Sequence, residues 1–517
     1  MTTVDLVLTP YQAFDKDNFL PIAAQKAGFD VSDIQDFKII HKSVDARGRD
    51  ITINLKISLF TGFEKPQNIA ENYHYQNVEN SPEVVVVGAG PAGLFAALRL
   101  VELGYKPIVL ERGKNVHDRK RDIAALSTKN ILDENSNYCF GEGGAGTFSD
   151  GKLYTRSNKR GNICRILEIF YIHGANENIL YESRPHIGTD KLPRIVENMR
   201  EKIIACGGKV LFQTRVEDFE FSGENLTSVV DQNGNKIPCR AVILAAGHSA
   251  EDVYLMLDKK GVKLESKGFA MGVRVEHPRE LIDELQYKNA DTQYLPAATY
   301  TLTAQADGRG VYSFCMCPGG QIVPSATAKN QTVVNGMSAS ARNNVYSNSG
   351  IVVELRPEDY VSFGDDALAG LRFQKNVEYL AHVNGNSTQS APAQRLDDFV
   401  KGRISSILPE TSYVPGTIIS PVHFWLPDII GKRLQEGFKQ FDKKMRGFVT
   451  SEAQVLAVES RTSSPVRIVR DSETLSSVTF VNLFPCGEGA GYAGGIVSSA
   501  MDGENAAESV AKFITKS

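Results

Sequence analysis

A run of valines that leads straight into a glycine-punctuated turn constrains this chain more than any other feature. Residues 83–94 read EVVVVGAGPAGL, with glycines at 88, 90 and 93. Gly88 permits a tight turn, Gly90 lets a pyrophosphate approach the main chain, and Gly93 lets a helix pack on the strand. The helix N-terminus offers unpaired N–H groups to the phosphates. The pattern predicts a strand–turn–helix unit that binds a dinucleotide.

The residues that follow strengthen this prediction. The helix is predicted from Pro91 to Leu103, with proline in its first turn and Gly104 as its stop. A second strand from Pro107 delivers Glu111 about twenty residues after the glycines, where a carboxylate accepts adenosine ribose hydroxyls. A phosphate-free βαβ unit is the alternative. Glu111 argues against a 2′-phosphate, because two anions would then meet.

The length of the chain requires several domains. With 517 residues it exceeds what one core supports. We predict an N-terminal module with its linker (1–75), a dinucleotide domain (76–265), an inserted substrate or cap domain (266–440) and a C-terminal return to the dinucleotide domain (441–517).

Charge and cysteine usage exclude several functional classes. A net charge of −4 gives no basic field for nucleic acid or anionic lipid, and no apolar leader or span is evident. We therefore expect a cytoplasmic protein. The seven cysteines form no CxxC pair, so no metal site or iron–sulfur cluster is predicted. Cys315 and Cys317, about 6.6 Å apart on one strand face, are interpreted as packing residues, with a redox role as the alternative.

The N-terminal module reads as a small α/β unit of ferredoxin-like type. A helix is predicted over 13–27, followed by alternating strands at 36–42 and 50–59.

The order of strands before residue 250 favours a flavin. A strand begins at Lys209, and a meander over 219–237 contains Asn233-Gly234, which predicts a type I′ turn. A buried strand over 241–247 then ends in Ala-Ala-Gly. This order fits the Rossmann-type domain of flavoproteins better than that of nicotinamide dehydrogenases, so FAD is predicted rather than NAD.

The region after residue 265 alternates with period two and predicts an antiparallel sheet. Its predicted strands are 272–276, 299–303, 311–317, 322–327, 332–336 and 351–355. The segment 366–405 has a helical pattern. We interpret the region as an insertion that covers a ligand.

A second glycine-rich segment near the C-terminus predicts the other half of the site. A strand over 478–485 leads into CGEGAGYAGGI and a helix from Ile496 to Phe513. Glu488 suits a ribityl hydroxyl, and Gly494 and Gly495 suit close approach to a flat ring. The helix N-terminus would stabilise negative charge on the reduced flavin. A loop that only turns a corner is the alternative.

Two further segments are predicted to line the cofactor. Residues 140–152, FGEGGAGTFSDGK, contain a literal GxGxxG but lack the flanking strand and helix, so a loop against the cofactor or a surface loop is expected. Residues 461–465, RTSSP, supply a cation and hydroxyls for the flavin or substrate, or else for loop capping.

Several motifs together resemble one family. They are VVVVGAGPAGL, FGEGGAGTFSDGKL, YSFCMCPGG, RTSSPVRI and PCGEGAGYAGGI. The chain resembles, over nearly its whole length, the bacterial FAD-dependent dehydrogenases known as NAD(FAD)-utilising dehydrogenases. The resemblance implies non-covalent FAD in a glutathione-reductase-like flavoprotein fold and implies little about the substrate.

The predicted cofactor-binding residues fall in the segments described above. They are Gly88, Gly90, Pro91, Ala92, Gly93, Glu111, Arg112, Gly146, Thr147, Lys152, Val216, Ala246, Gly247, Gly487, Glu488, Ala493, Gly494, Gly495 and Ile496.

The predicted function is that of an FAD-dependent oxidoreductase acting on a small molecule, with NAD(P)H as a transient donor. The alternatives are an RNA-modifying flavoprotein and an electron-transfer flavoprotein that serves a protein or a quinone. The sequence identifies no catalytic acid or base. Lys152 and Arg461 are candidates for stabilising reduced flavin, and His186, His248 and His423 for moving protons. Substrate and oligomeric state are not predicted.

Overall fold

The computed structural model describes residues 1–48, 50–155, 160–288 and 291–516. The N-terminal elements are β1 (Thr2–Leu8), α1 (Pro10–Phe14), α2 (Lys16–Ala27), β2 (Ile34–Asp45) and β3 (Thr52–Thr61). The next elements are β4 (Glu83–Val87), α3 (Pro91–Glu102), β5 (Lys106–Leu110), α4 (Val116–Lys129), α5 (Ile163–Ile172), α6 (Leu192–Ala205), β6 (Lys209–Leu211), β7 (Val216–Ser222), β8 (Asn225–Asp231), β9 (Lys236–Pro238), β10 (Val242–Leu244) and α7 (Glu251–Lys259).

The second half of the chain continues the numbering. Its elements are β11 (Leu264–Ser266), β12 (Phe269–Pro278), α8 (Arg279–Tyr287), β13 (Thr303–Ala306), β14 (Arg309–Cys317), β15 (Gln321–Pro324), β16 (Val334–Met337), β17 (Tyr346–Leu355), α9 (Ala369–Asn384), β18 (Ala391–Arg395), α10 (Leu396–Lys401), β19 (Thr417–Ile419), α11 (Val422–Trp425), α12 (Asp428–Lys444), β20 (Gln454–Glu459), β21 (Val466–Ile468), β22 (Leu483–Pro485) and α13 (Ile496–Lys516).

The N-terminal module is a three-stranded antiparallel sheet in the order β1-β3-β2. The element order β-α-β-β corresponds to the first half of the predicted ferredoxin-like β-α-β-β-α-β fold. The second helix and the fourth strand do not occur in the part of residues 1–75 that the structure describes. The predicted single helix is divided at Asp15, whose carboxylate accepts from the Asp17 N–H and caps α2. Strand β1 was not predicted from the sequence.

A parallel five-stranded sheet in the order β22-β10-β4-β5-β6 forms the centre of the Rossmann-type unit. The valines of β4 are buried on both faces, as expected for a central parallel strand. Val84 and Val86 pack with α3 and α13, whereas Val85 and Val87 pack with the β7-β8-β9 meander. The prediction of an α/β fold with a Rossmann-type unit is confirmed.

Helices α3 and α13 meet through their backbones. A Cβ added at Gly503 of α13 would lie 2.0 Å from the Ala92 carbonyl oxygen in α3. The C-terminal helix therefore packs directly on the helix that opens the dinucleotide unit, and β22 joins β10 in the same sheet. Residues 83–110 and 483–516 thus form one structural unit.

The meander turn differs from the prediction. Gly234 has a φ of +78°, but Asn233 is not among the residues with positive φ, as a type I′ turn would require. The Gly234 N–H donates to the Asp231 carbonyl and the Asp231 N–H to the Asn235 carbonyl. The type I′ prediction is wrong, because the loop is a type I turn followed by a left-handed glycine. The Asp231 carboxylate favours this form by accepting from the Asn233 and Asn235 N–H groups.

The middle region is built on a seven-stranded sheet in the order β13-β14-β17-β12-β20-β18-β19. It is antiparallel except for the pair β18 and β19. Strands β15 and β16 form a separate hairpin sheet, which corrects the prediction that all these strands share one sheet. The segment predicted as helical also contains β18, and β20 lies beyond the predicted boundary at residue 440 yet pairs with β12.

We predict that Gly503→Ala destabilises the protein by about 1–3 kcal/mol, because the new methyl group would force α3 and α13 apart. Urea unfolding followed by circular dichroism measures the change. Gly431 in α12 is the matched control, since its added Cβ would meet its nearest neighbour at 3.5 Å. Gly431→Ala should be neutral or stabilising. Equal stability of Gly503→Ala and wild type would contradict the packing described here.

Candidate cofactor site

The turn between β4 and α3 offers backbone N–H groups at a helix N-terminus. Gly88 has a φ of +102°, and a Cβ there would lie 2.5 Å from the Ala245 carbonyl oxygen. Gly90 is the N-cap of α3, and no side chain caps this helix end. Gly93 lies behind the turn, where a Cβ would lie 1.9 Å from the Gly88 carbonyl oxygen. The uncapped turn has the form of an anion-binding site.

Glu111 is a buried carboxylate that joins three loops. Its Oε2 accepts from the Ala89 N–H at 2.9 Å, and its Oε1 accepts from Gly113 and Gly141 N–H groups at 2.9 and 3.0 Å. A carboxylate has about four acceptor positions, so these bonds leave capacity for a ribose hydroxyl. Glu111 therefore lines the cavity and also holds the backbone around it in place. Its contact with ribose stays a prediction.

A cavity of about 390 Å³ connects the predicted segments. The predicted residues that line it are Gly88, Gly90, Pro91, Ala92, Glu111, Arg112, Gly146, Lys152, Val216, Ala246, Gly247, Gly487, Glu488, Gly494, Gly495 and Ile496. Three predicted residues are not among the lining residues. They are Gly93, which packs behind the turn, Thr147, whose hydroxyl donates to the Glu142 carbonyl, and Ala493.

The loop 140–152 lies on the β4–α3 turn. A Cβ added at Gly144 would lie 3.0 Å from the Gly90 Cα, and the Gly143 N–H donates to the Ala89 carbonyl. Glu142 inside the loop is fully buried and pairs with Arg200 at 2.6 Å. The glycines of this loop therefore allow its backbone to lie close to the backbone of the β4–α3 turn.

The C-terminal glycine segment closes the cavity from the opposite side. The Gly487 N–H donates to Asp502 of α13 at 2.7 Å, and Asp502 also pairs with Arg470. Gly494 and Gly495 have no atom within 4 Å of an added Cβ. These two glycines border open space at the start of α13.

Two cations of the predicted segments lie in the cavity wall. Arg461 is paired with Glu378 and also donates to Thr327 and Gln331. Lys152 donates to the Met316 carbonyl of β14, and its Nζ lies 3.9 Å from the Cys315 sulfur. Arg461 is held by its partners within the protein, whereas Lys152 joins the loop 140–152 to the middle sheet.

The three candidate histidines have different environments. His248 lines the cavity and lies between the Glu488 carboxylate at 3.3 Å and the Arg461 carbonyl at 3.1 Å. Burial lowers the pKa of His186, which contacts the Ser340 carbonyl. His423 contacts Gln394 and is not among the cavity-lining residues. Of the three, only His248 lies where it could contact a cofactor.

Several residues that the sequence did not assign to the site complete the cavity. Those of the middle region are Phe314, Cys315, Ser325 and Asn335, and those of the dinucleotide domain include Cys139 and Asp150.

Positive φ at Cys315 (+47°) and a register shift between Phe314 and Cys317 mark a β-bulge that the period-two pattern conceals. The regular strand assumed for the two cysteines is therefore interrupted between them. Cys315 lines the cavity, and Cys317 is fully buried.

The cavity fits an extended dinucleotide. Its lining includes Glu111 and Arg112 after β5, the uncapped start of α3, and Lys152 and Cys315 beside the middle sheet. Space for close approach exists at Gly247, Gly494 and Gly495, where an added Cβ meets nothing within 4 Å. The residues present therefore suit FAD.

The family comparisons agree with this interpretation. The family described as "FAD-dependent protein, C-terminal domain-like" matches residues 268–462, and an FAD binding domain matches residues 83–119. A domain of unknown function matches residues 1–60. An uncharacterized protein of Clostridium beijerinckii is 42% identical over 506 residues, which cover 94% of each chain.

Solved structures show only distant likeness. A flavoprotein/dehydrogenase from Cytophaga hutchinsonii is 12% identical, with 84% of this chain and 79% of that chain covered and a TM-score of 0.35. The glycerol-3-phosphate dehydrogenase from Bacillus halodurans complexed with FAD is 11% identical, with 85% and 66% covered and a TM-score of 0.37. Similarity this low says nothing about the reaction of this chain.

The described part of the chain lacks two kinds of feature. Within residues 1–48, 50–155, 160–288 and 291–516, no helix has the length and apolar character to cross a bilayer. The same residues contain no group of three or more His, Cys, Asp or Glu side chains placed to hold a metal ion.

We predict that Gly90→Ala weakens FAD retention at least tenfold while the protein still folds. An added Cβ at Gly90 meets its nearest protein atom at an ordinary 3.8 Å, so only a ligand close to the main chain would collide with it. Flavin absorbance per protein after gel filtration measures retention, and Gly431→Ala controls for a methyl group added elsewhere. Full FAD occupancy in Gly90→Ala would show that the pyrophosphate does not bind here.

Proposed function

We propose a function from one premise: the chain belongs to the family of FAD-dependent proteins that carry this C-terminal domain. It binds FAD. We propose that it is an oxidoreductase that transfers hydride or electrons between bound FAD and either NAD(P)H or a small-molecule substrate. The single observation that carries the proposal is the continuous cavity from the β4–α3 turn to the middle sheet.

The chain's own residues would hold the cofactor in an extended form. The uncapped N–H groups of α3 would bind the pyrophosphate, and Glu111 would receive the adenosine ribose. Glu488 and the glycines at 494 and 495 would receive the ribityl chain and the ring. When bound, FAD supplies the hydride chemistry through its isoalloxazine ring.

Lys152 is the candidate for electrostatic support of the reduced cofactor. Its ammonium group lies in the cavity wall and has no carboxylate within ion-pair distance in the described part of the chain. The N-terminus of α13 adds partial positive charge beside Gly495. Both would favour negative charge on the reduced ring.

NAD(P)H is proposed as a transient donor. The sequence contains one strand–GxGxxG–helix unit, and the second GxGxxG at 141–146 belongs to a loop, so no dedicated nicotinamide domain is expected. Docking would occur at the middle-sheet end of the cavity, beside Phe314 and Asn335. We place the reaction in the cytoplasm, with a small-molecule substrate rather than a nucleic acid or a membrane.

Anaerobic stopped-flow mixing of the holoprotein with NADH or NADPH tests the proposal. We expect the absorbance band of the oxidised flavin to bleach at a rate that saturates with donor concentration. Bleaching only with a reduced protein donor or a quinol would instead indicate an electron-transfer flavoprotein. Retention on tRNA at moderate salt, without reaction with nicotinamides, would indicate RNA modification.

We predict that Lys152→Met slows flavin reduction about tenfold or more, equivalent to ~1.4 kcal/mol of lost charge stabilisation. The same stopped-flow assay measures the rate, and FAD content is checked first. Lys120→Met is the matched control, because Lys120 is exposed on α4 and does not line the cavity. Equal rates in both variants would remove Lys152 from the proposal.

A further inference from the structure

Two thiols of β14 lie where the middle sheet borders the cavity. Cys315 lines the cavity, and Cys317 is fully buried two residues further along β14. The Cys317 thiol donates to the Cys315 carbonyl oxygen at 3.4 Å. A register shift between Phe314 and Cys317 marks a bulge at Cys315.

The backbone at Cys315 is held in a conformation that L residues rarely adopt. Its φ of +47° lies in the left-handed region, where glycine is favoured. Such strain persists where surrounding contacts enforce it, and it is found mainly at functional sites. Here the surrounding contacts are Lys152 on the Met316 carbonyl and Arg274 on the Cys315 carbonyl at 3.5 Å.

The buried charged groups that the structure describes around Cys315 and Cys317 leave one positive charge without a negative partner. Arg274 is fully buried, and it pairs with Glu459 at 2.7 Å and donates to Asn348 at 2.6 Å. Asp150 pairs with Arg342 at 2.6 Å. Lys152 is the cation left without a carboxylate partner among these described groups, and its Nζ is 3.9 Å from the Cys315 sulfur.

The two thiols have opposite ionisation tendencies. The adjacent Cys317 thiol and the charges of Lys152 and Arg274 lower the pKa of Cys315 well below its usual range, despite burial and the nearby Asp150. The adjacent Cys315 and burial raise the pKa of Cys317. Cys315 is therefore the more acidic thiol of the pair.

We infer that Cys315 and Cys317 form a redox-active pair that exchanges two electrons with the flavin bound in this cavity. The inference rests on the proposed function, because it requires the flavin ring at the middle-sheet end. A thiolate exposed to the ring beside a protonated thiol behind it is the arrangement that such exchange needs. The site would act on a thiol or disulfide substrate, or would store electrons between donor and acceptor.

The exchange balances without another reactant. The Cys315 thiolate and the Cys317 thiol lose two electrons to oxidised flavin, and a sulfur–sulfur bond forms between them. The Cys317 S–H bond breaks, and its proton passes to the flavin. The products are the disulfide and the singly protonated, anionic reduced flavin. The reverse reaction reduces the disulfide at the expense of reduced flavin.

Thiol counting on the holoprotein tests the inference without an activity assay. After oxidation in air through its own flavin, the denatured protein should show two fewer free thiols than the seven in the sequence. Both cysteines fall in one tryptic peptide, residues 310–329, which should lose two hydrogens in mass and regain them on reduction. Seven thiols and an unchanged peptide would overturn the inference.

Anaerobic dithionite titration gives the second readout. The oxidised wild type should take up four electrons per FAD, and Cys317→Ser should take up two. Cys164→Ser should match the wild type, because Cys164 is exposed and lies outside the cavity lining. Two-electron uptake by the wild type, together with normal bleaching by NAD(P)H, would reject the cysteine pair and leave the proposed function intact. Four-electron uptake without bleaching by any nicotinamide would reject the nicotinamide donor and leave the pair intact.

Discussion

Backbone-to-backbone contact around α3 is the constraint on which the rest of the molecule depends. Gly93 in the first turn of α3 lies against the Gly88 carbonyl in the turn after β4. The Ala92 carbonyl of the same helical turn lies against Gly503 of α13, with no side chain between the two helices at this point. These contacts join segments from both halves of the chain. The glycines that would let a phosphate approach the backbone therefore lie beside the glycines that allow the helices to pack closely. A larger residue at either kind of position would disturb the other.

Glu111 shows how the same atoms serve structure and binding. Its carboxylate holds the N–H groups of Ala89, Gly113 and Gly141. Those groups belong to the phosphate turn, the segment after β5 and the loop 140–152. A loss of this carboxylate would leave three buried N–H groups without their acceptor, at about 1–3 kcal/mol each. The shape of this part of the cavity is thus fixed by the protein itself.

The sequence predicted what depends on local pattern and missed what depends on distant contact. The valines of β4, the proline and glycines of α3 and the return at Cys486 carry their own signals, so the Rossmann-type unit and FAD could be predicted. β18 was hidden in a helical pattern because the strands that pair with it, β19 and β20, lie further along the chain, and only those pairings make it a strand. The bulge at Cys315 had no local glycine to reveal it, since contacts from Lys152 and Arg274 hold its backbone.

The position of β22 has a consequence for synthesis on the ribosome. Strand β10 pairs with β4 on one side and with β22 on the other, and residues 245–482 separate β10 from β22 in the chain. While those residues emerge, the nascent sheet presents β10 as an open edge, which is the kind of surface that invites wrong pairing. The cavity wall is completed only when residues 483–499 have been made, and the long middle region has to fold while the edge of β10 is still unpaired.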